Sequence, residues 1–565
     1  MILDKLSEIL TGEANKLGYN ENLRVIKSNR PDLCDFQCDE IFKLTKIYHK
    51  SPMEIGEEIV EQVNKITDFS NYFEKVDFCK PGFINITISN NFINDNLKLM
   101  GTKDKFNLKQ PQKVDTYVID YGGPNIAKPL HVGHMRPAIV GESIKRIIGF
   151  AGHKTISDVH LGDIGLPIGE VIYASLRDGK KIEDIDLPYL NKVYPEMSKL
   201  IKEDETVKNE CASIIKMVQD KEKYLDYWEK ICEVSKKDIK RLYKYLDVSF
   251  DYWLSESDAY EYLPKVKDFL IEKNLLKDSE GAKVVFVNRD DDKINYPPLI
   301  FQKSNGGFLY ESSDLGTIYQ RMEDFNPDYI LYVTDQRQAM HFEKIFRVCE
   351  MSGLTKNTKL VHLTHGTING LDGKPYKTRQ GDTPKLDELF NEVKEIFISK
   401  KEENKNMSEE DITKIVNSIL KFADLQNSRD RDYIFDINKF SDTQGKTGPY
   451  ILYSYLRMNK IIKKYDSNIN NLSNKVYNIY DRKLRMNILN LNECIQLALK
   501  EYKPNYIAEY IYELCVSMNA FYQNNHIANL TDNEKLNDWI SIIKLANSII
   551  REMLNLLIIE IPSEM

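Results

Sequence analysis

A chain of 565 residues is too long for a single hydrophobic core, so two to four domains are expected. Its hydrophobic fraction of 42% and charged fraction of 29% are ordinary for a soluble globular protein, and no apolar run approaches the length needed to span a bilayer. The net charge of −8 speaks against a wholly basic nucleic-acid binder, although a local basic face remains compatible with it.

The first hundred or so residues mix helical patterns with a β-rich end. Helices are predicted over Ile2 to Leu17 and Pro52 to Thr67, and a partly alternating strand over Phe83 to Ile88. Acids and a lysine inside the first apolar stretch indicate an amphipathic helix rather than a signal peptide. The polar stretch from Gly101 to Lys113 looks like a linker, so an amino-terminal domain is expected over residues 1–108.

The eight cysteines are scattered, and only Cys34 and Cys38 lie close together. A single CxxxC spacing without a second pair is weak support for zinc, and buried thiols in a reducing cytosol are the better interpretation. We therefore expect a cytoplasmic protein without a protein-bound zinc ion.

A strand, a turn, a helix and a second strand follow the linker. Thr116 to Tyr121 is a short buried-strand run, and a Gly-Gly-Pro turn leads from it into a helix that ends near Gly149. The next strand begins at Lys154. This order is typical of the start of a doubly wound parallel sheet.

This second domain, expected over residues 109–400, contains an insertion at about 178–305, and the first part of the insertion is charged and helical in period. Sheet-like segments are predicted at Gly306–Asp314, Asp328–Gln336 and Lys359–Gly366. Each ends in polar residues, which should converge on one crevice at the carboxyl ends of the strands. Residues 401–565 are expected to form a helical domain.

The motif His131-Val-Gly-His134 stands at the mouth of the first helix of this sheet. A helix amino terminus offers free N–H groups and positive potential to polyphosphate, and Gly133 lets a nucleotide approach the backbone. Two imidazoles three residues apart can donate to phosphate oxygens. A surface histidine pair or a zinc site is the alternative, but the zinc spacing His-Glu-x-x-His is absent. The strand-turn-helix context favours ATP.

A basic loop runs between Gly373 and Gly381. Lys374, Lys377 and Arg379 could neutralise charge that develops at the α-phosphate of ATP. Alone, the loop would be interpreted as a solvated basic hairpin. Because it follows a late strand while HVGH follows the first strand, the chain is identified as a member of the class I aminoacyl-tRNA synthetases.

Within that class the chain resembles the arginyl-tRNA synthetases, in segments that occur in family order and cover nearly its whole length. They are PNIAKPLHVGHMR, SDVHLGDIG, FLYESSD, VTDQRQAMHF, DGKPYKTRQGDT, KFADLQNSRDRDYIFD and TGPYILYSYLRM, with PGFINITIS closing the amino-terminal domain. The resemblance implies a multidomain α/β protein. Its expected parts are a Rossmann-type parallel-sheet catalytic domain with a helical insertion, an α+β amino-terminal domain that binds tRNA, and an all-α anticodon-binding bundle.

The activity implied by this resemblance is that of an arginine–tRNA ligase. Such an enzyme activates L-arginine with ATP to arginyl-adenylate and transfers it to the 3′ end of tRNA(Arg), with tRNA needed for activation. Mg²⁺ is expected with ATP, no membrane is involved, and a monomer is expected. The alternative is a non-catalytic synthetase-like binding or regulatory paralogue, against which HVGH, Lys128 and Asp314 argue.

The same resemblance implies roles for individual residues. Independently of it, a pocket for arginine needs a carboxylate to pair with the planar guanidinium. The arginine-binding residues implied are Asp120, Asn125, Tyr310, Asp314 and Gln338. The catalytic and ATP-binding residues implied are Lys128, His131, Gly133, His134, His160, His341, Gly366, Thr367, Lys377 and Arg379. For Asp314, a helix N-cap role is the alternative, although Ser312 or Ser313 could fill it.

The chain departs from the family pattern at four places, the first of which concerns the phosphate side. Lys377-Thr378-Arg379 stands where most class I enzymes carry a lysine pair, and Lys128 occupies the place of a lysine that is thought to substitute for it. Pro137 replaces a usual serine, in what is predicted to be the first helical turn. Ile164 and Pro167 likewise replace a usual Trp and Gln.

In the helical domain, aromatic residues are interleaved with positive charge, a pattern suited to stacking on unpaired anticodon bases. The tRNA contacts predicted here are Tyr450, Tyr453 and Arg457. Core packing is the alternative for aromatic residues at helical spacing.

Overall fold

The structure is a computed structural model that describes residues 2–377, 385–400, 406–465 and 472–565. The chain divides into two compact units. Unit 1 comprises Met1–Gln110, Tyr453–Gln496 and Glu509–Met553, and unit 2 comprises Pro111–Leu452, Leu497–Ala508 and Leu554–Met565. Within the described ranges, no helix combines the length and the apolarity that crossing a membrane requires.

The amino-terminal part of unit 1 packs helices against a small antiparallel sheet, with strand order β1-β2-β4-β3. Its elements are α1 (Ile2–Lys16), β1 (Ile26–Lys27), β2 (Phe36–Cys38), α2 (Ile41–Tyr48), α3 (Pro52–Asn64), α4 (Phe69–Tyr72), β3 (Phe73–Cys79), β4 (Phe83–Ile88) and α5 (Asn90–Thr102). The predicted strand is β4. Both predicted helices are present, each ending slightly earlier than expected, and the stretch predicted as a linker begins with the end of α5 and a short 3₁₀ turn.

The part of the chain that contains the parallel sheet belongs to unit 2. Its elements are β5 (Thr116–Tyr121), α6 (Val132–Phe150), β6 (Lys154–Leu161), α7 (Leu166–Arg177), α8 (Leu187–Glu203), α9 (Glu205–Gln219), α10 (Leu225–Tyr245), β7 (Tyr252–Ser255), α11 (Leu263–Glu272), β8 (Lys277–Ser279), β9 (Ala282–Val285), β10 (Leu299–Gln302), α12 (Tyr310–Phe325), β11 (Tyr329–Asp335), α13 (Ala339–Ser352), β12 (Lys359–His365), β13 (Ile368–Asn369) and α14 (Leu386–Lys400).

Five of these strands form one parallel sheet in the order β12-β11-β5-β6-β7. Val118 of β5 and Ile330 of β11 are fully buried in its core, together with Ile318 of α12. Both faces of a parallel sheet must be covered, which explains the continuous apolar run of β5. The predicted Rossmann-type fold is confirmed.

The insertion between β6 and α12 is helical in its first part, as predicted, through α8, α9 and α10. Its later part holds a small antiparallel sheet of order β10-β9-β8. The sheet-like segment predicted at Gly306–Asp314 is wrong, because α12 begins at Tyr310 and the strand is β10, further upstream. Phe308 packs edge-on against Phe301 of β10, so the apolar run covers the core without extending a strand.

Pro137 is not in the first turn of α6 as predicted. The helix begins at Val132, so Pro137 is its sixth residue and lies in the second turn. A proline there has no N–H to donate to the carbonyl four residues earlier, which is that of Gly133. Pro137 and Gly133 line the same cavity, described below.

The remaining elements are predominantly helical, as predicted. They are α15 (Glu409–Leu425), β14 (Tyr433–Ile434), α16 (Ile437–Phe440), α17 (Gly448–Ile462), α18 (Ile479–Leu489), α19 (Leu491–Glu501), α20 (Asn505–Asn525) and α21 (Asn533–Leu556). Short strand β14 pairs in parallel with β13, which follows the last strand of the parallel sheet.

A fully buried arginine ties the helices of unit 1 together. Arg485 donates to Asp481 at 2.7 Å, to Asp538 at 2.5 Å and to the side chain of Asn94 at 2.5 Å. A buried guanidinium needs such partners to offset its desolvation. Since Asn94 lies on α5 and Asp538 on α21, this network joins the amino-terminal part of unit 1 to its helical part.

Candidate active site

A cavity of about 810 Å³ opens at the carboxyl ends of β5, β11 and β12. Parallel strands gather the loops that follow them at this edge of a sheet. The predicted residues that line it are Asn125, His131, Gly133, His134, Gln338, Gly366 and Thr367. Residues far apart in the sequence are thus brought to one crevice.

His131 and His134 use their own rings to complete the first turn of α6. Nδ1 of His131 accepts a hydrogen bond from the N–H of Gly133, and Nδ1 of His134 accepts one from the N–H of His131, both at 3.1 Å. An accepting Nδ1 carries no proton, so the proton of each neutral ring is on Nε2. Each ring can therefore satisfy a backbone N–H and still donate from Nε2 to a phosphate oxygen.

Burial lowers the pKa of both rings. For His134 the pKa falls to about 3, through burial first and then the neighbouring charges of His131 and Lys128. For His131 the causes are burial and Lys128. Both histidines are therefore neutral donors at physiological pH, and positive charge for the phosphates must come from other side chains.

We predict that His134 keeps the neutral Nε2–H tautomer from pH 8 down to pH 5. Its folded pKa lies below the unfolded value, so its contribution to stability is complete above about 6.5 and is lost progressively as pH falls from about 6.5 to about 3. A histidine-labelled ¹H–¹⁵N correlation titration measures this, with His134→Gln identifying the signal. A midpoint near 6.5 would contradict the hydrogen-bonding pattern of the first turn.

The turn after β12 forms one wall of the cavity and is held by hydrogen bonds to residues 429–432, which do not line the cavity. The N–H of Gly366 donates to the carbonyl of Arg429 at 2.9 Å, and the N–H of Thr367 donates to the carboxylate of Asp432 at 2.7 Å. A Cβ on Gly366 would lie 2.5 Å from the carbonyl carbon of Arg431. Only glycine fits this close approach, which fixes the shape of the wall.

The basic loop leaves from the hairpin that follows β13. Gly373 makes the turn with a φ of +73°, and the N–H of Tyr376 donates back to the carbonyl of Ile368 at 2.9 Å. Lys377 comes next and is exposed. Arg379 lies outside the described residues, so its predicted role stays a prediction.

The far end of the basic loop returns to the histidine motif. The N–H of Leu386 donates to the carbonyl of Leu130 at 3.0 Å, and Lys385 forms a β-bridge with His131. The chain is therefore attached near the cavity on both sides of residues 378–384, which the structure does not describe: at Tyr376 before them, and at the N-cap of α6 after them.

The turn after β5 rests on the end of β6. The N–H of Ile126 donates to the carbonyl of Gly162 at 2.8 Å, and the N–H of Gly162 donates to the carbonyl of Pro124 at 3.2 Å. Added bulk at Gly162 would meet the amide oxygen of Asn125. The amide of Asn125 is thereby held at the cavity.

Tyr310, Asp314 and His341 form a second cluster, which we call the carboxylate cluster. The Asp314 carboxylate and Nε2 of His341 are 2.5 Å apart, and the rings of Tyr310 and His341 lie 4.9 Å apart. Asp314 is the fifth residue of α12, so the N-cap role that was its alternative is excluded. An exposed aromatic ring beside a carboxylate suits a planar cation.

Glu256 extends the carboxylate cluster and was missed by the sequence reasoning. It begins the 3₁₀ turn after β7, at the same sheet edge, and its charge interacts with those of His160 and Asp314. Burial raises the pKa of Glu256 to about 7, and the nearby Asp314 adds to the rise while His160 opposes it. Its sequence context, SESD, is a capping-box pattern that marks the start of a helical turn and gives no sign of a binding role for Glu256.

For the arginine site that the resemblance implies, we predict that KM falls about tenfold from pH 6 to pH 8, because the Glu256 carboxylate ionises over this range and only the anion attracts a guanidinium. A cation that binds the anion lowers its pKa, so affinity increases with pH and levels off above about 8. Pyrophosphate exchange in the presence of tRNA measures the KM. Glu256→Gln should flatten the profile, and an unchanged slope would remove Glu256 from the pocket.

His160, Asp120 and His341 do not line the large cavity. His160 lies on β6 with its Nε2 3.4 Å from the hydroxyl of Thr317. Asp120 is buried, and Arg321 donates to it and to Asp158, each at 2.6 Å. Asp120 and Asp158 face each other on neighbouring strands, so the guanidinium of Arg321 offsets their mutual repulsion. The assignment of Asp120 to the amino-acid end of arginine stays a prediction.

Lys128 is half-buried on the turn between β5 and α6, with its Nζ 5.5 Å from the ring centroid of Tyr194 on α8. Its charge reaches both histidines of the first turn, since it contributes to the lowering of their pKa values. It is thus a source of positive potential beside two neutral donors.

The predicted tRNA contacts lie on α17. Tyr453 is 45% exposed, Tyr450 is half-buried, and the guanidinium of Arg457 lies 5.0 Å from the ring centroid of Tyr522. The exposed ring of Tyr453 is available for stacking, whereas the nearby Tyr455 is buried. These contacts stay predictions.

Family models match three parts of the chain. The model described as "tRNA synthetases class I (R), catalytic domain" matches residues 96–437, the "DALR anticodon binding domain" matches 451–565, and the "Arginyl tRNA synthetase N terminal domain" matches 2–88.

Proteins and solved structures named as arginine–tRNA ligases or arginyl-tRNA synthetases match over the full length. Arginine–tRNA ligases of Alkaliphilus oremlandii and Agathobacter rectalis are 35% and 36% identical, over 100% of each chain. The crystal structure of arginyl-tRNA synthetase from Plasmodium falciparum is 27% identical with a TM-score of 0.81, and it covers 100% of this chain and 99% of its own. The Thermus thermophilus arginyl-tRNA synthetase, 18% identical, has a TM-score of 0.81 over 100% of both chains and shares the fold.

Proposed function

The chain belongs to the arginyl-tRNA synthetases, and from that premise we propose how its side chains divide the work of the reaction. It is a class I arginine–tRNA ligase, with arginine, ATP and tRNA as substrates. In the first step the arginine carboxylate attacks the α-phosphorus of ATP and pyrophosphate leaves. In the second, the terminal ribose hydroxyl of the tRNA attacks the adenylate carbonyl and AMP leaves.

We place ATP in the cavity of about 810 Å³. The observation that carries this proposal is the hydrogen bonding of His131 and His134, which leaves each neutral ring with an Nε2 donor at the cavity. Gly133, Gly366 and Thr367 would let the nucleotide approach the backbone. The basic-loop residues Lys377 and Arg379, with Lys128, would supply the positive charge at the phosphates.

Arginine would enter with its guanidinium at the carboxylate cluster. Asp314 and Tyr310 would receive it, with Glu256 as a second carboxylate. Asn125 and Gln338, which line the ATP cavity, would hold the ammonium and carboxylate end near the α-phosphate. Neither step needs a strong protein base, so catalysis rests on positioning and charge stabilisation.

The three ranges matched by family models support a three-part working arrangement. We propose an amino-terminal tRNA-binding domain of about 1–108, a catalytic domain, and a helical anticodon-binding domain. Because β14 (Tyr433–Ile434) pairs with β13, we extend the catalytic domain beyond residue 400, to a boundary between the matched ranges that end at 437 and begin at 451. Mg²⁺ bound with ATP, a monomeric state and a cytoplasmic location complete the proposal.

The test is arginine-dependent exchange of labelled pyrophosphate into ATP, with and without tRNA(Arg). We expect exchange only when the tRNA is present, together with charging of that tRNA with arginine. Equal exchange without tRNA would contradict the requirement for tRNA in activation. Absent exchange and absent charging in the presence of tRNA would contradict the proposed division of roles as a whole.

A further inference from the structure

The helical insertion contacts the residue that precedes Lys128. Ala127 has a φ of +66°, a left-handed backbone conformation that residues other than glycine rarely adopt. Its buried N–H donates to the hydroxyl of Ser235 on α10 at 3.1 Å. Ser235 is distant from the turn in sequence. A helix of the insertion therefore helps to hold the backbone from which Lys128 projects.

A second helix of the insertion contacts Lys128 itself. The ring of Tyr194, on α8, lies 5.5 Å from the Lys128 ammonium, within the range of a cation–π interaction. Within the described ranges, no salt bridge within 4 Å is formed by Lys128. A ring attracts the ammonium without neutralising it, so the charge stays available for phosphate.

A carboxylate lies near the same lysine. Glu170 on α7 is 3% exposed, its Oε2 lacks a hydrogen-bond partner among the described residues, and the charge of Lys128 acts on it. An ion pair with Glu170 would neutralise the ammonium that phosphate needs. The ring of Tyr194 offers Lys128 another contact and so works against that pairing.

We propose that Tyr194, supplied by the helical insertion, is a positioning residue that holds the Lys128 ammonium ready for the phosphates of ATP. Ser235 supports the same placement through the backbone of Ala127. This rests on the proposed role of Lys128 in adenylate formation. The insertion thus takes part in the first step of catalysis although none of its helices lines the ATP cavity.

The test compares Tyr194→Leu with Tyr194→Phe in pyrophosphate exchange with arginine and tRNA. We expect Tyr194→Leu to lower kcat about five-fold with little change in the KM for arginine, because a cation–π contact of ordinary strength is lost. Tyr194→Phe, which keeps the ring, should retain the parent rate. Tyr194→Met replaces the leucine variant if the latter unfolds, as judged by its Tm.

Tyr189→Leu is the matched control, since Tyr189 also lies on α8 and its ring holds another lysine, Lys180, at 5.0 Å. It should leave kcat unchanged. In a Lys128→Ala background, adding Tyr194→Leu should cause no further loss, because the ring acts through the lysine. Additive losses, or equal losses for the phenylalanine variant, would overturn the proposal. If Lys128→Ala alone leaves the rate unchanged, the proposed role of Lys128 itself fails, which is a different result.

Discussion

Asp314→Ala is expected to raise the KM for arginine about a hundred-fold. The carboxylate bonds to His341, whose ring lies 4.9 Å from that of Tyr310, and in the proposed arrangement its loss leaves the substrate guanidinium without its principal counter-charge. Removing one partner of a desolvated ion pair costs roughly 3 kcal/mol, which corresponds to about two orders of magnitude in affinity, and the half-buried Asp314 would be covered further by the bound guanidinium. Pyrophosphate exchange at varied arginine, with tRNA and saturating ATP, measures the effect.

The control for this variant lies on the same helix. Glu323→Ala removes a surface carboxylate of α12 that pairs with Lys265, and we expect it to leave the KM for arginine unchanged. Surface pairs of this kind contribute little. An Asp314→Ala enzyme with the parent KM and turnover would exclude Asp314 from the guanidinium site. Glu256 would then be the carboxylate to test next.

Lys128→Ala is expected to slow adenylate formation by about a hundred-fold or more while the KM for arginine changes little. Because the two histidines of the first turn are neutral, they cannot replace the lost ammonium. Removing one electrostatic contact to a developing charge typically costs about 10²–10³ in rate. Single-turnover formation of adenylate in the presence of tRNA isolates this step.

Lys180→Ala is the corresponding control, because Lys180 is also half-buried and also lies over a tyrosine ring, that of Tyr189, but has no proposed phosphate role. Its rate should equal that of the parent. If Lys128→Ala instead weakened arginine binding at an unchanged rate of chemistry, the phosphate role of Lys128 would be wrong.

Features encoded by nearby residues were predictable from the sequence. The buried run of β5 and the apolar spacing of α6 are local patterns. The HVGH motif, which lies between them, marks the amino terminus of α6. The order of these elements also predicted the crevice, because parallel strands bring their following loops to one edge. Asn125 and Gln338, more than two hundred residues apart, accordingly line one cavity.

Features that depend on tertiary partners were not predictable. The sequence around Arg321 predicts an ordinary charged residue on the surface of a helix. In the structure Arg321 is fully buried and donates to both Asp120 and Asp158. Glu256 becomes prominent only because folding places it beside Asp314 and His160 and withdraws it from water. The strand predicted at Gly306–Asp314 failed for a related reason, since a short apolar run fits a strand or a buried helix entry equally well.

The position of β5 in the sheet has a consequence for how the chain folds. Tyr117 of β5 pairs on one side with Thr155 of β6, nearby in sequence, and on the other with Tyr329, more than two hundred residues later. During synthesis β5 therefore presents an open apolar edge until the whole insertion and β11 have left the ribosome. Long-range pairing of this kind is slow, and open edges recruit other chains. Fragments that end within the insertion should aggregate, whereas fragments that extend past β12 should not.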